Sequence, residues 1–220
     1  MKKFLKSIFF ACIMALLIFS VSASANETTR LNKWATENFD LENGLSVKMY
    51  AVLEDTGGSA VINQSAHIKG QKIAFTSKIN NIDVTFILHQ DTLWLYSPKF
   101  PFVHIKTVVE GFDYDEFFIL DSSVEANFLQ SYETTVNSHA YYVEEFLYIN
   151  EDDEESITKF YFDGDELKFI DAPQNVDGYD VAYRAEILST NVDDKVFEVP
   201  FLSVNIYPII VFFLNIFNII

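Results

Sequence analysis

The chain has 220 residues, with 15 Lys+Arg against 32 Asp+Glu and a formal net charge of −17. So acidic a surface repels phosphate backbones and excludes nucleic acid as a partner. With 22 Phe and 11 Tyr the chain is too rich in aromatic bulk to be a disordered acidic polymer, and it is long enough for one domain with a real core.

The first element is a leader. Lys2, Lys3 and Lys6 precede an apolar run from Ile8 to Val21, and Ala23-Ser24-Ala25 supplies the small residues that a signal peptidase accepts. The run is short for a bilayer span, so residues 1–25 read as a signal peptide and the domain as exported, to a periplasm, a cell surface or the medium. Cys12 is the sole cysteine and lies inside the apolar run, where a lipid-attachment cut would halve the signal's core. The mature part therefore has no disulfide, no thiolate metal site and no cysteine nucleophile. Three lysines and no acid leave with the leader, so the balance becomes 12 against 32, or −20.

Residues 26–200 form the expected domain. In "TTRLNKWATENF", Leu31, Trp34, Ala35 and Phe39 recur at helical spacing behind Thr28-Thr29, a capping pair. After "ENG" the period changes to two: Val47, Met49, Ala51 and Leu53 share one face, with Lys48, Tyr50 and Glu54 opposite. "SAVINQSAHIKG", "KIAFTSKI", "IDVTFILH", "TLWLYS" and "FVHIKTV" continue the alternation between short polar breaks, the pattern of an antiparallel meander. Phe117, Leu120, Val124 and Phe128, with Ser122-x-x-Glu125 as a capping box, predict one or two helices near 113–131. Strands resume with "AYYVEEFLYI", "SITKFYF", "ELKFI", "DVAYRAEIL" and "KVFEVP"; "NEDDEES" reads as a hairpin tip and "APQNVDGYD" as a longer one. The fold class is mainly β, an antiparallel sheet with an N-terminal helix; the resemblance given below implies that the sheet is strongly curved.

Motifs for chemistry are weak. Asp163, Asp165 and Glu166 suggest a calcium loop, but position five counted from Asp163 is Leu167 and position twelve is Gln174, so the EF-hand pattern fails. Asp163-Gly164 between alternating strands is a hairpin signal instead. The run Glu151–Glu155 reads as a solvated tip, since consecutive strand residues point to opposite sides and do not converge on a cation. His67, His89, His104 and His139 are widely spaced, with no H-E-x-x-H, no G-x-S-x-G elbow and no glycine-rich phosphate loop. The chain is read as a non-enzyme without cofactor or metal; a carboxylate pair assembled in space is the remaining catalytic alternative.

The block "YYVEEFLYINEDDEESITKFYFDGDELKFI" with "DDKVFEVP", and the earlier "AHIKGQKIAFTSKINNIDVTFILHQDTLWLYSPKFPFVHIK", resemble the LolA-like lipoprotein-localisation and lipoprotein-sorting proteins over residues 45–200. The resemblance rests on turn and strand patterns. It implies a half-open barrel closed by helices, whose apolar concave side holds acyl chains or a lipoprotein segment; some members sense envelope stress. No carrier residue maps onto an individual position here.

The alternation independently supplies one apolar face. Met49, Leu53, Ile62, Ile73, Phe75, Val84, Phe86, Leu88, Leu93 and Leu95 are the candidate ligand-binding residues if the helices leave the concavity partly open, and plain core if they fill it. The expected partner is a lipid or lipoprotein, or an envelope protein if the concavity is filled. The last stretch, "FLSVNIYPIIVFFLNIFNII" (201–220), has no charge and the length of a membrane span, yet Pro208 interrupts it and Asn205, Asn215 and Asn218 are costly in lipid. No L-P-x-T-G-type sorting motif precedes it. A membrane anchor, an abnormal chain ending, and an extra strand or helix packed on the domain all fit this tail.

Overall fold

The computed structural model describes residues 29–55, 58–79, 81–109, 125–149, 155–176, 179–199 and 202–209. The expected signal peptide (1–25), the acidic residues 151–154 and the last eleven residues lie outside that set.

Among the described residues the helix α1 (Arg30–Asn38) precedes the sheet, as its spacing predicts. Thr29 is its N-cap: the side-chain oxygen accepts from the Asn32 N–H at 3.2 Å. Leu31, Trp34 and Ala35 make the buried stripe. Twelve strands follow: β1 (Leu45–Asp55), β2 (Gly58–Lys69), β3 (Lys72–Ile79), β4 (Ile82–His89), β5 (Thr92–Tyr96), β6 (Val103–Val108), β7 (Glu125–Val136), β8 (His139–Ile149), β9 (Glu155–Asp163), β10 (Glu166–Val176), β11 (Tyr179–Ser189) and β12 (Val204–Asn205).

They form one sheet in the order β12-β6-β5-β4-β3-β2-β1-β11-β10-β9-β8-β7. Two meanders, β1 to β6 and β7 to β11, are joined by the antiparallel β1–β11 pair, with Met49 opposite Ala185. The sheet is not closed, because β7 and β12 are its two ends. It is curved, and the helix shows why. Leu31, Trp34 and Ala35 share one continuous core with residues from β1 to β3 and from β7 to β11. Laid flat, β3 to β7 would span more than about 30 Å at the usual strand spacing. A helix of this length covers about 14 Å. The sheet therefore curls around α1.

Tight turns fix the register. β9 and β10 meet at Gly164-Asp165, with Asp163 opposite Glu166 and φ of +62° at Gly164, so this acidic stretch is a hairpin. β7 and β8 turn at Asn137-Ser138, both in the left-handed region, as a type I′ hairpin requires. Gly44 ends the loop after α1 at φ +85°, and a Cβ there would lie 2.4 Å from the Ile68 carbonyl oxygen.

Several expectations are corrected. Residues 125–131, expected as part of a helix, belong to β7: the three-four spacing of Val124 and Phe128 was misleading, because pairing with β8 satisfies this backbone instead. Residues 110–124 lie outside the described set. "KVFEVP" is a 3-10 turn (Asp194–Phe197), pinned where Asp194 accepts from Lys69 at 3.1 Å and Lys72 at 3.0 Å. "APQNVDGYD" is no long loop: β10 runs to Val176, opposite Tyr179. Pro173 is tolerated because the β9–β10 ladder has ended by then, its last pair being Lys159 with Asp171.

Candidate functional site

The inner face of the sheet has two parts. Beneath α1 it is filled. Phe146 of β8, Phe160 and Phe162 of β9, and Leu31 are fully buried, and Phe146 meets Phe160 edge to face at 5.5 Å. Of the sequence-predicted candidates, Met49, Ile73 and Phe75 belong to this core, at 5%, 3% and 1% exposure. A change there perturbs packing before it perturbs any ligand.

Farther along the same face the chain is less covered. Register carries the face from Phe75 to Phe86 and Leu95, from Ile73 to Leu88 and Leu93, and from Ser77 to Val84. Leu95 then pairs with Ile105 on β6. Val84, Phe86, Leu88, Leu93, Leu95 and Ile105 are all only half-buried. The structure thus brings five of the ten candidates together on β4 and β5. Leu53 and Ile62 hold positions in β1 and β2, but their side chains lie outside the described residues.

What seats α1 is a buried carboxylate. Glu144 of β8 is 2% exposed and points inward, and its two oxygens accept from the Arg30 N–H at 2.7 Å and the Leu31 N–H at 2.9 Å. These are orphan donors of a helix start, so a residue 113 positions away completes the cap that Thr29 begins. Burial raises the Glu144 carboxyl above its ordinary value, only partly offset by these N–H groups and the Arg30 charge. Arg30 stacks on the Tyr142 ring at 3.8 Å and donates to the Gly164 carbonyl at 2.7 Å, tying the helix to the β9–β10 turn. Sequence reasoning missed Glu144; the doubled acid in "VEEF" was its only trace.

Its neighbour Glu145 faces outward and belongs to a different network. It is 6% exposed and accepts from Gln130 at 2.7 Å, Tyr132 at 2.8 Å and Lys159 at 2.9 Å. Burial pushes its carboxyl up, but the three donors together outweigh this and hold it below the ordinary value.

The outer face also carries a small apolar cluster, Val143, Tyr161 and Phe169. Arg184 lies over Phe169 at 4.2 Å and binds Asp171 through two 2.6 Å hydrogen bonds, while burial first and then Asp171 push the Tyr161 hydroxyl up to about 12. A groove of about 550 Å³ opens beside it, lined by Tyr50, His139, Tyr141, Lys168, Arg184 and Glu186 among others. Here His139 pairs with Asp163 at 3.1 Å, and Lys168 pairs with Glu166. Its charges are thus satisfied within the chain. His67 contacts the Ser46 hydroxyl at 2.9 Å, and burial lowers its pKa. Among the described residues no three His, Cys, Asp or Glu side chains gather as a metal site.

No known family's sequence profile matches the chain, and no curated protein matches it in sequence. Solved structures do. The chain is similar to the LolA superfamily protein NE2245 from Nitrosomonas europaea, at 9% identity and a TM-score of 0.34, over 76% of this chain and 94% of that one. It is also similar to a domain ascribed to outer membrane lipoprotein sorting from Vibrio parahaemolyticus, at 10% identity and 0.30, over 77% and 94%. A DUF1329 family protein from Desulfovibrio piger follows at 10% and 0.29, over 72% and 91%. At that overlap the likeness is one of strand arrangement, and no ligand or residue role passes from these proteins to this chain.

Proposed function

We propose that the chain is an exported, non-enzymatic carrier that holds an apolar ligand, an acyl chain or the acylated segment of a lipoprotein, against the inner face of β4 and β5. One observation carries this reading: Val84, Phe86, Leu88, Leu93 and Leu95 continue the face of the core, yet stay half-buried where the residues beneath α1 are fully covered. A curved apolar wall with one covered end suits an elongated hydrophobic ligand. The basic and apolar leader with its Ala23-Ser24-Ala25 site supports a location outside the cytoplasm.

The test is to recover the exported protein, extract it with organic solvent and identify co-purified lipid by mass spectrometry, alongside titration with a fluorescent fatty acid. Leu93→Asp with Leu95→Asp should abolish uptake while circular dichroism stays unchanged. Empty preparations together with no uptake by the wild type refute the carrier. A second reading, an envelope interaction or stress-sensing module, draws support from the full packing of Phe146, Phe160 and Phe162 beneath α1. It is favoured if the protein stays empty yet crosslinks to one envelope protein in cells.

A further inference from the structure

We infer that the β6 end of the sheet docks on a lipid bilayer surface, through the loop before β6 and the strand of the tail. This surface adjoins the rim of the inner face, since Val103 shares its side of β6 with Ile105, but the inference does not depend on the carrier reading.

Exposed apolar bulk is concentrated at this end. Of the eleven large hydrophobic residues exposed among the described residues, eight lie on β6, on the loop leading into it, or on the tail. Phe102 is 70% exposed, Leu202 77%, Val204 62% and Ile209 54%. Backbone pairing brings part of this group together: β12 adds to β6 in parallel with Val204 opposite Val103, and the Val204 N–H donates to the Phe102 carbonyl at 2.8 Å. Soluble surfaces scatter such residues singly, and a contiguous group marks an interaction site.

Charge narrows the partner. Residues 92–109 and 202–220 contain no Asp or Glu, in a chain with 32 of them. They carry Lys99 and Lys106, both exposed, and Lys106 Nζ sits 5.2 Å from the Trp94 ring centre. Lysine and aromatic groups around exposed apolar side chains match the boundary layer of a bilayer, where stems bury and ammonium groups reach phosphates.

Two polar side chains of the described tail residues, Ser203 and Asn205, are paired before any contact with lipid. Asn205, whose amide is costly in an apolar medium, accepts from the N–H groups of Lys106 and Tyr207, each at 3.0 Å, and donates to the Lys106 carbonyl at 3.4 Å. Ser203 and His104 are joined at 2.8 Å, and the Ile206 N–H donates to the His104 carbonyl at 2.9 Å. Pairing of this kind removes most of the penalty for bringing backbone and amides near hydrocarbon. No helix among the described residues is long and apolar enough to cross a membrane.

The experiment is flotation of the full chain, recovered after export, with vesicles of phosphatidylcholine alone or mixed with phosphatidylglycerol. The wild type should float with both and more strongly with the anionic mixture. Phe102→Asp with Leu202→Asp should lower the bound fraction at least tenfold on both. Lys99→Glu with Lys106→Glu should remove only the anionic preference. Leu129→Asp, an exposed apolar position on β7 at the opposite edge, should change nothing, and circular dichroism should confirm that every variant folds. A wild type that does not float overturns the proposal, as does binding that the Phe102/Leu202 variant retains. So does a wild-type dimer which that variant dissociates, because the patch would then be a contact between copies.

Discussion

Replacing Glu144 with Ala tests whether one buried carboxylate seats the helix on the sheet. The substitution removes both acceptors that hold the Arg30 and Leu31 N–H groups at 2.7 and 2.9 Å, and Leu31 is fully buried, so water cannot easily replace them. A buried donor left unpaired costs about 1–3 kcal/mol. Two such donors, less the relief of no longer burying a carboxylate, give a loss of about 3 kcal/mol. Glu144→Gln keeps one acceptor but sets an amide donor against the second N–H, and should lose about half as much. Thr29→Ala removes a single capping bond and should cost about 1 kcal/mol. Urea denaturation of the three variants, monitored by circular dichroism, should give the order Glu144→Ala, Glu144→Gln, Thr29→Ala. A Glu144→Ala protein less than about 1 kcal/mol below wild type, or no less stable than Thr29→Ala, refutes the capping role.

The two adjacent acids should respond to pH with opposite signs. The Glu144 carboxyl is raised, so its contribution is fully present below the ordinary value of 4.5 and is lost as pH rises through the folded value; wild type should lose ground to Glu144→Gln over that rise. The Glu145 carboxyl is lowered, so its contribution is present above 4.5 and is lost as pH falls through the folded value; the advantage of wild type over Glu145→Gln should shrink on acidification. Denaturation midpoints from pH 3 to 7, on the order of one unit apart, check both signs, and parallel curves count against them. Gly44→Ala forces a side chain into the left-handed region and a Cβ to 2.4 Å from the Ile68 carbonyl oxygen, and should cost about 3 kcal/mol in a thermal melt. A variant that melts with wild type would show that the loop relaxes freely.

Much of the architecture was legible locally. The helical spacing of Leu31, Trp34 and Ala35 marked α1, and the alternation of Ile73, Phe75, Val84, Phe86 and Leu88 marked β3, β4 and their inner face. Both work because one face meets the core and the other meets water. The same logic failed at Phe128, where spacing suited a helix but a neighbouring strand was available to pair, and at "KVFEVP", where two lysines on β2 and β3 hold the chain in a turn. At β8 the strand was legible in "AYYVEEFLYI", but Val143 to Phe146 are buried on both faces, so the pattern did not tell which side meets the helix. The candidate site was half legible. The apolar face could be traced along the strands, but which stretch of it α1 covers could not.

The sequence alone determined the acidic balance and, in β3 to β5, the side that each apolar residue takes, since these follow from composition and from a period set by backbone geometry. Tertiary structure decided that Met49 and Phe75 are core while Leu93 and Leu95 are half-buried, that Glu144 caps a helix 113 residues away, and that the uncharged tail pairs with β6. Those outcomes depend on which distant segments meet when the sheet curls, and no local pattern encodes a meeting between distant residues.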